Sequence, residues 1–305
     1  MLETNALGSA AALGSAVSWA IGAFLFKGLG ETLSPLAMTL AKGVCSLVFL
    51  GLAMIFLGTT PMDWQSMAYL VASGVIGIAV GDTFFFRALQ GLAPQALLVL
   101  MVLGQVFTIA LAVVVLDETL TRAAAVGIGL VLIGVVLVLR GTSSGEGGVT
   151  KVQGVIFGLL AVLCMAIASV IAKKGLGPQS DTIQATFIRM AAGTVGVFGF
   201  GVANRQVAGW LTPFRERKLA SRFALAVSVV TFGGFWLGMV AFKYTSVVIA
   251  STLTSTEPAF GLIIAVLVMR ERVSRQAVIG TAVTLTGVLV LSVPQMNGWL
   301  QKLTG

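Results

Sequence analysis

The sequence predicts an all-α integral membrane protein, ten transmembrane helices arranged as two inverted five-helix repeats. Three observations lead there. Charged residues are scarce: 19 Lys and Arg with 11 Asp and Glu, 10% of 305 residues, where a soluble domain carries about 25%. Hydrophobic residues make up 57% and mean hydropathy is +1.03. The two halves of the chain also align with each other.

A helix crossing a bilayer needs roughly 20 mostly apolar residues. Ten segments meet that length in order: 6–27, 34–58, 67–90, 94–116, 121–140, 152–174, 181–203, 222–243, 246–269 and 274–293. The first has no basic leader and is followed by further spans, so it reads as a helix rather than a signal peptide. Most connections are short turns. The exceptions are the Gly/Ser-rich 141-GTSSGEGGVTK-151 and the basic 204-NRQVAGWLTPFRERKLASR-222.

A step of 153 residues carries Glu118 to Glu271, Gly127 to Gly280, Gly134 to Gly287 and Ala88 to Ala241. Near the start of each half the step is 147, taking Lys27-Gly28-Leu29-Gly30 to Lys174-Gly175-Leu176-Gly177 and Lys42 to Arg189. This divides the chain into a first repeat, 1–140, a linker, 141–151, and a second repeat, 152–305. Five is odd, so the second copy enters the membrane from the opposite side. Inverted repeats with a midplane site between them are a common plan of secondary transporters.

Composition also excludes. Without histidine there is no His metal site, no Ser–His or Cys–His catalysis and no histidine relay. Cys45 and Cys164 sit far apart in apolar runs and read as small buried hydrophobes. No Walker A sequence is present. The net charge of +8 comes from basic residues at the ends of apolar segments, a topology signal rather than a nucleic-acid surface. No metal or cofactor is expected, and no enzymatic activity. Counting Lys and Arg by side puts loop 204–222 in the cytoplasm and both termini outside.

Ionisable groups inside a membrane are costly and are functional candidates by default. Glu257 lies near the middle of the ninth helix beside Pro258, which removes a backbone donor and frees the Thr254 carbonyl. With Thr252, Ser255 and Thr256 it can meet a polar solute, or it can be a packing feature. Lys42 and Arg189 lie about eight residues into their helices, near 12 Å deep at ~1.5 Å per residue. They can snorkel, attract a substrate carboxylate or pair with Glu257.

Asp82, in 81-GDTFFFR-87 with Thr83 and Phe86, maps to Phe235 in the second copy. The repeat does not require it, so it is a candidate for an ammonium group or a proton, or for a pair with Arg87. Trp19 and Trp236 with Phe84, Phe85 and Phe86 are candidates for an apolar wall, and Gln105 for a polar group facing the pathway. Asp82 or Glu257 is expected to answer an ammonium, and Thr, Ser and Gln dipoles of the fourth and ninth helices a carboxylate. Glu118 and Glu271 are expected to brace turns, with Thr121 and Ser274 capping the helices that follow. Gly127, Gly134, Gly280 and Gly287 are expected to pack.

Each half resembles the EamA-type repeat of the drug/metabolite transporter superfamily. The resemblance is carried by Lys42 and Arg189 early in a second helix, by 253-LTSTEP-258, by 118-ETLT-121 and 271-ERVS-274, and by the paired glycines. It covers about residues 8–292. In the first half Gly104-Gln105 stands where the second has Glu-Pro, so the halves are not expected to work identically there.

The resemblance implies secondary transport by alternating access. It is nearest to bacterial exporters of amino acids, aromatic ones especially, held as monomers in the inner membrane. It implies a small-molecule substrate and the lipid bilayer as partners, no nucleic acid, and termini in the cytoplasm, opposite to the charge count. Alternatives are a carrier of sugar phosphates, nucleotide sugars or cationic drugs, or a membrane enzyme or scaffold built on Asp82 and Glu257.

Overall fold

The computed structural model describes residues 2–30, 32–104, 106–107, 122–141, 149–177, 180–245, 247–271 and 273–304. Among these residues the chain is helical throughout, with no strand. In the first half α1 is Leu2–Leu29, α2 Pro35–Leu57, α3 Trp64–Gly91, α4 Pro94–Met101 and α5 Arg122–Gly141. In the second, α6 is Lys151–Lys174, α7 Thr182–Ala203 and α8 Arg217–Tyr244. The ninth, α9, runs through Val247–Thr254, Glu257–Ile263 and Ile264–Val268, and α10 is Arg275–Thr304.

Seven described stretches are long and apolar enough to cross a membrane: Ala6–Leu29, Pro35–Leu57, Trp64–Gly91, Lys151–Lys174, Thr182–Ala203, Arg217–Tyr244 and Ile249–Val268. Two shorter apolar helices, Ala125–Gly141 and Arg275–Leu291, fall where further spans are expected. Much of the fourth expected span, with Gln105, lies outside the described residues, as do Glu118 and Thr121. The basic segment 204–222 is more ordered than a loop: it holds a short helix, Val207–Leu211, and α8 starts at Arg217 rather than near 222.

The helix starts follow from local chemistry. Ser34, Asp63, Thr150, Asp181 and Ser274 each accept a hydrogen bond from the backbone N–H three residues on. At Thr150 the Gln153 side chain completes a capping box. Asp63 is exposed, and the Ser66 backbone N–H it accepts holds its carboxyl below the usual range.

Helix ends repeat as well. Lys27 donates to the carbonyls of Leu89 (2.6 Å) and Leu92 (3.0 Å) at the end of α3. Lys173 donates to those of Phe242 and Thr245 at the end of α8, each 153 residues further along. A lysine closing one repeat's first helix thus ties down the last carbonyls of its third. Lys173 takes the role that the sequence alignment gives to Lys174.

Packing between the halves is reciprocal. α3 packs on α6 and, with the halves exchanged, α8 packs on α1; α2 packs on α7, α4 on α9 and α5 on α10. The last pair runs antiparallel. Gly127 faces Gly287, Gly134 faces Gly280 and Gly141 faces Ser274, as an inverted repeat requires of equivalent helices. A Cβ on Gly134 would lie 2.6 Å from the Gly280 carbonyl oxygen and one on Gly280 2.8 Å from that of Gly134. Only hydrogen fits there, so the glycines bring two backbones together. Large apolar side chains such as Ile55, Phe56 and Leu267 point outward, where lipid would cover them.

Candidate functional site

Both third helices change winding partway. Val75–Asp82 in α3 and Val229–Trp236 in α8 adopt π-helical geometry. They start 154 residues apart, one residue off the 153-residue register. A π turn is rare and recurs at functional sites. It spreads the ladder, and the Gly234 carbonyl in the second segment accepts from Ser15 Oγ of α1 at 2.9 Å.

Asp82 closes the first π segment. Lys42 of α2 donates to its Oδ2, and this is the one ion pair among the described residues. Both residues are 1% exposed. The Lys42 ammonium also sits 4.4 Å from the centroid of Phe235 and 5.9 Å from that of Phe86. The expected pairs Lys42–Glu257 and Asp82–Arg87 do not form. Asp82 takes Lys42, and Arg87 turns to Gln90 Oε1 (3.2 Å) and the ring of Phe157.

Arg189, the repeat counterpart of Lys42, is 8% exposed. Among the described residues its Nη1 donates to the Met239 thioether, at 3.0 Å, and its Nε has no hydrogen-bond partner. Asp82 acts on it electrostatically but lies beyond ion-pair distance.

A cavity of about 210 Å³ lies between the halves, bounded by α1, α3, α4, α6, α7, α8 and α9. One wall is aromatic: Trp19 meets Phe235 edge-on at 4.8 Å and Phe85 at 6.2 Å, and all three rings line the space. Its charged lining residues are Asp82, Arg189 and Glu257. The α9 wall adds Ser251, Thr254 and Ser255. α9 breaks at Ser255–Thr256, just before Glu257 and Pro258. Gln95 of α4 bridges this break, donating to the Pro258 carbonyl at 3.0 Å and to Thr281 Oγ1 of α10 at 3.1 Å.

Of the residues singled out from sequence, Trp19, Asp82, Arg189, Ser255 and Glu257 share this cavity. Lys42 stands behind it through Asp82, and Pro258 is buried at the α9 break. Thr83 turns away to α2, bonding the Ala79 carbonyl (2.7 Å) and Thr39 Oγ1 (3.1 Å). Phe86 packs on Phe26 and Trp236 on Phe232, and Trp236 Nε1 donates to Thr182 Oγ1 at 3.0 Å. Thr252 is on α9 and is not part of the cavity lining. Ser274 caps α10 as expected, donating also to the Gly141 carbonyl at 2.7 Å. Of the Phe84–Phe86 run, Phe85 is the ring that lines the cavity, and Phe235, one position before the Trp236 chosen from sequence, is the aromatic residue sequence reasoning missed. The wide π turns shift which face a helix presents, and α-helical spacing carries no sign of that shift.

Comparison with known proteins agrees with this architecture. Curated relatives include an uncharacterized transporter of Clostridium kluyveri, 25% identical over 236 residues (74% of this chain, 72% of that protein). Another, of Archaeoglobus fulgidus, is 23% identical over 286 residues (93% and 98%). A solved crystal structure superposes with a TM-score of 0.62 over 94% of this chain and 96% of that one at 15% identity, a likeness of fold. The model of the EamA-like transporter family matches twice, over residues 6–140 and 152–293. With a two-repeat membrane fold and both copies matched, the chain belongs to the EamA-like transporter family.

Proposed function

We propose that this membrane transporter carries amino acids, favouring aromatic and other bulky neutral ones, out of the cell by alternating access. It works as a monomer in the bacterial inner membrane, with one chain enclosing the pathway. The observation that carries the reading is the cavity between the halves. It holds both signs of charge, Arg189 against Asp82 and Glu257, beside a wall of Trp19, Phe85 and Phe235. A zwitterion with an apolar side chain matches each of those features. At about 210 Å³ the space is below the roughly 300–1,000 Å³ of drug-sized sites, which favours a small metabolite. Phosphorylated sugars call for several converging cations, and Arg189 is the cation among the lining residues.

The test is counterflow of radiolabelled L-phenylalanine in proteoliposomes. The expected result is saturable flux, competed more strongly by phenylalanine and tryptophan than by threonine, and indifferent to glucose 6-phosphate. Absence of saturable amino-acid flux, with sugar phosphate carried instead, overturns the substrate assignment.

A further inference from the structure

We propose that Arg189 anchors the carboxylate of the transported amino acid, in a subsite that exists because the second repeat lacks a counterpart to Asp82. The inference rests on the amino-acid reading above and sets the orientation of the solute within it.

The repeat supplies the first argument. Lys42 and Arg189 are equivalent, and so are Asp82 and Phe235. Their surroundings correspond too: Lys42 lies near Phe86, and Arg189 touches Met239, 153 residues on. In the first repeat the buried cation is neutralised by its own Asp82. In the second, the equivalent position offers a phenyl ring. A buried guanidinium is left with a thioether, a weak acceptor, and an unpartnered Nε.

Charge placement is the second argument. Asp82 is taken by Lys42, no carboxylate among the described residues lies within ion-pair distance of Arg189, and a buried charge is expensive without a partner. A carboxylate entering the cavity matches it and suits the planar donor fork of arginine. Glu257, the other ionisable lining group, then faces the ammonium.

Hydroxyl orientation is the third. Thr254 Oγ1 donates to the Ala250 carbonyl at 2.8 Å, and Ser255 Oγ to that of Ser251 at 2.7 Å. Their protons are spent on their own helix, so they offer lone pairs to the cavity. Together with Glu257 they form an acceptor-rich wall, suited to an ammonium and repellent to a carboxylate. This orientation is the opposite of the sequence expectation that α9 hydroxyls meet the carboxylate.

The test compares ligand-induced thermal stabilisation of the purified full-length protein by L-phenylalanine and by phenethylamine, which lacks the carboxylate. Wild type should prefer phenylalanine by at least about tenfold in apparent affinity, ~1.4 kcal/mol. Arg189→Gln should lose that preference by weakening phenylalanine alone, and Arg189→Lys should keep part of it. If Arg189→Gln elutes as aggregate, the neutral, similarly long Arg189→Met decides, and an undiminished preference there overturns the anchor. A persistent preference in well-folded Arg189→Gln, with phenylalanine still transported, overturns the anchor and leaves the amino-acid reading standing. A wild type that neither binds nor carries any amino acid overturns both.

Discussion

Lys42 donates to the Asp82 carboxylate at the end of the α3 π segment, with both side chains sealed from solvent. The pair joins α2 to α3, and Asp82 presents its remaining surface to the cavity. Removing one partner of a buried pair strands the other charge, at a cost of about 3–5 kcal/mol. Asp82→Asn strands two cations, because Arg189 also feels this carboxylate. Both Asp82→Asn and Lys42→Met should lower the melting temperature in detergent, Asp82→Asn the more. The double variant should be more stable than the sum of the single losses implies. Additive losses would mean that the pair is not energetically coupled.

Glu257 lines the cavity immediately after the α9 break, and the described residues place no cation within ion-pair distance of it. A carboxylate held there for the solute contributes little to the resting fold. Glu257→Gln should therefore abolish or strongly reduce proteoliposome flux while leaving folded yield nearly intact. Aggregation of the variant would assign Glu257 to folding, and normal transport would remove it from the site.

The aromatic residues divide into lining and packing sets. Trp19 and Phe235 face the cavity, and one ring contact is worth roughly 0.5–1.5 kcal/mol, at most about tenfold in affinity. Trp19→Ala and Phe235→Ala should weaken competition by phenylalanine or tryptophan more than competition by threonine. Phe86, 2% exposed and packed on Phe26, should behave differently: Phe86→Ala should cost about 3–5 kcal/mol of stability. Trp236→Ala should follow Phe86 in leaving selectivity unchanged. Equal loss for every solute in the Trp19 and Phe235 variants would reduce those rings to support of the fold.

Much of this architecture was legible because it is written in composition and repetition. Apolar length located the helices, and the in-register recurrence of Lys42 with Arg189 and of the glycine pairs exposed the duplication. Buried charge pointed to Asp82, Arg189 and Glu257, since membrane burial makes each of them conspicuous. Three features were not legible. The π turns that bring Phe235 rather than Trp236 to the cavity, and Phe85 rather than its neighbours Phe84 and Phe86, leave no periodic trace. The pairing of Lys42 with Asp82 rather than Glu257 depends on which helices touch. Gln95, clasping the Pro258 carbonyl, looks in sequence like an ordinary residue in a first helical turn.

The α5–α10 seam offers a control within one helix. Gly134 and Gly129 are five residues apart on α5. A Cβ at Gly134 would strike Thr284 and lie 2.6 Å from the Gly280 carbonyl oxygen, whereas one at Gly129 would meet nothing within 4 Å. The backbone oxygen cannot swing aside, so Gly134→Ala must push the helices apart along a buried seam, and overpacking of this kind costs about 1–3 kcal/mol. Gly129→Ala carries no clash and replaces the residue that loses most chain entropy in a helix, a gain of about 0.5–1 kcal/mol. The two substitutions add the same methyl group to the same helix, so helix propensity favours both equally. Melting in detergent should therefore separate them, with Gly134→Ala below wild type and Gly129→Ala at or above it. Gly280→Ala should reproduce the Gly134 loss, because it blocks the same contact from the other helix. Equal behaviour of Gly134→Ala and Gly129→Ala would mean that α5 and α10 tolerate a wider spacing and that the glycine seam does not set how the two repeats meet.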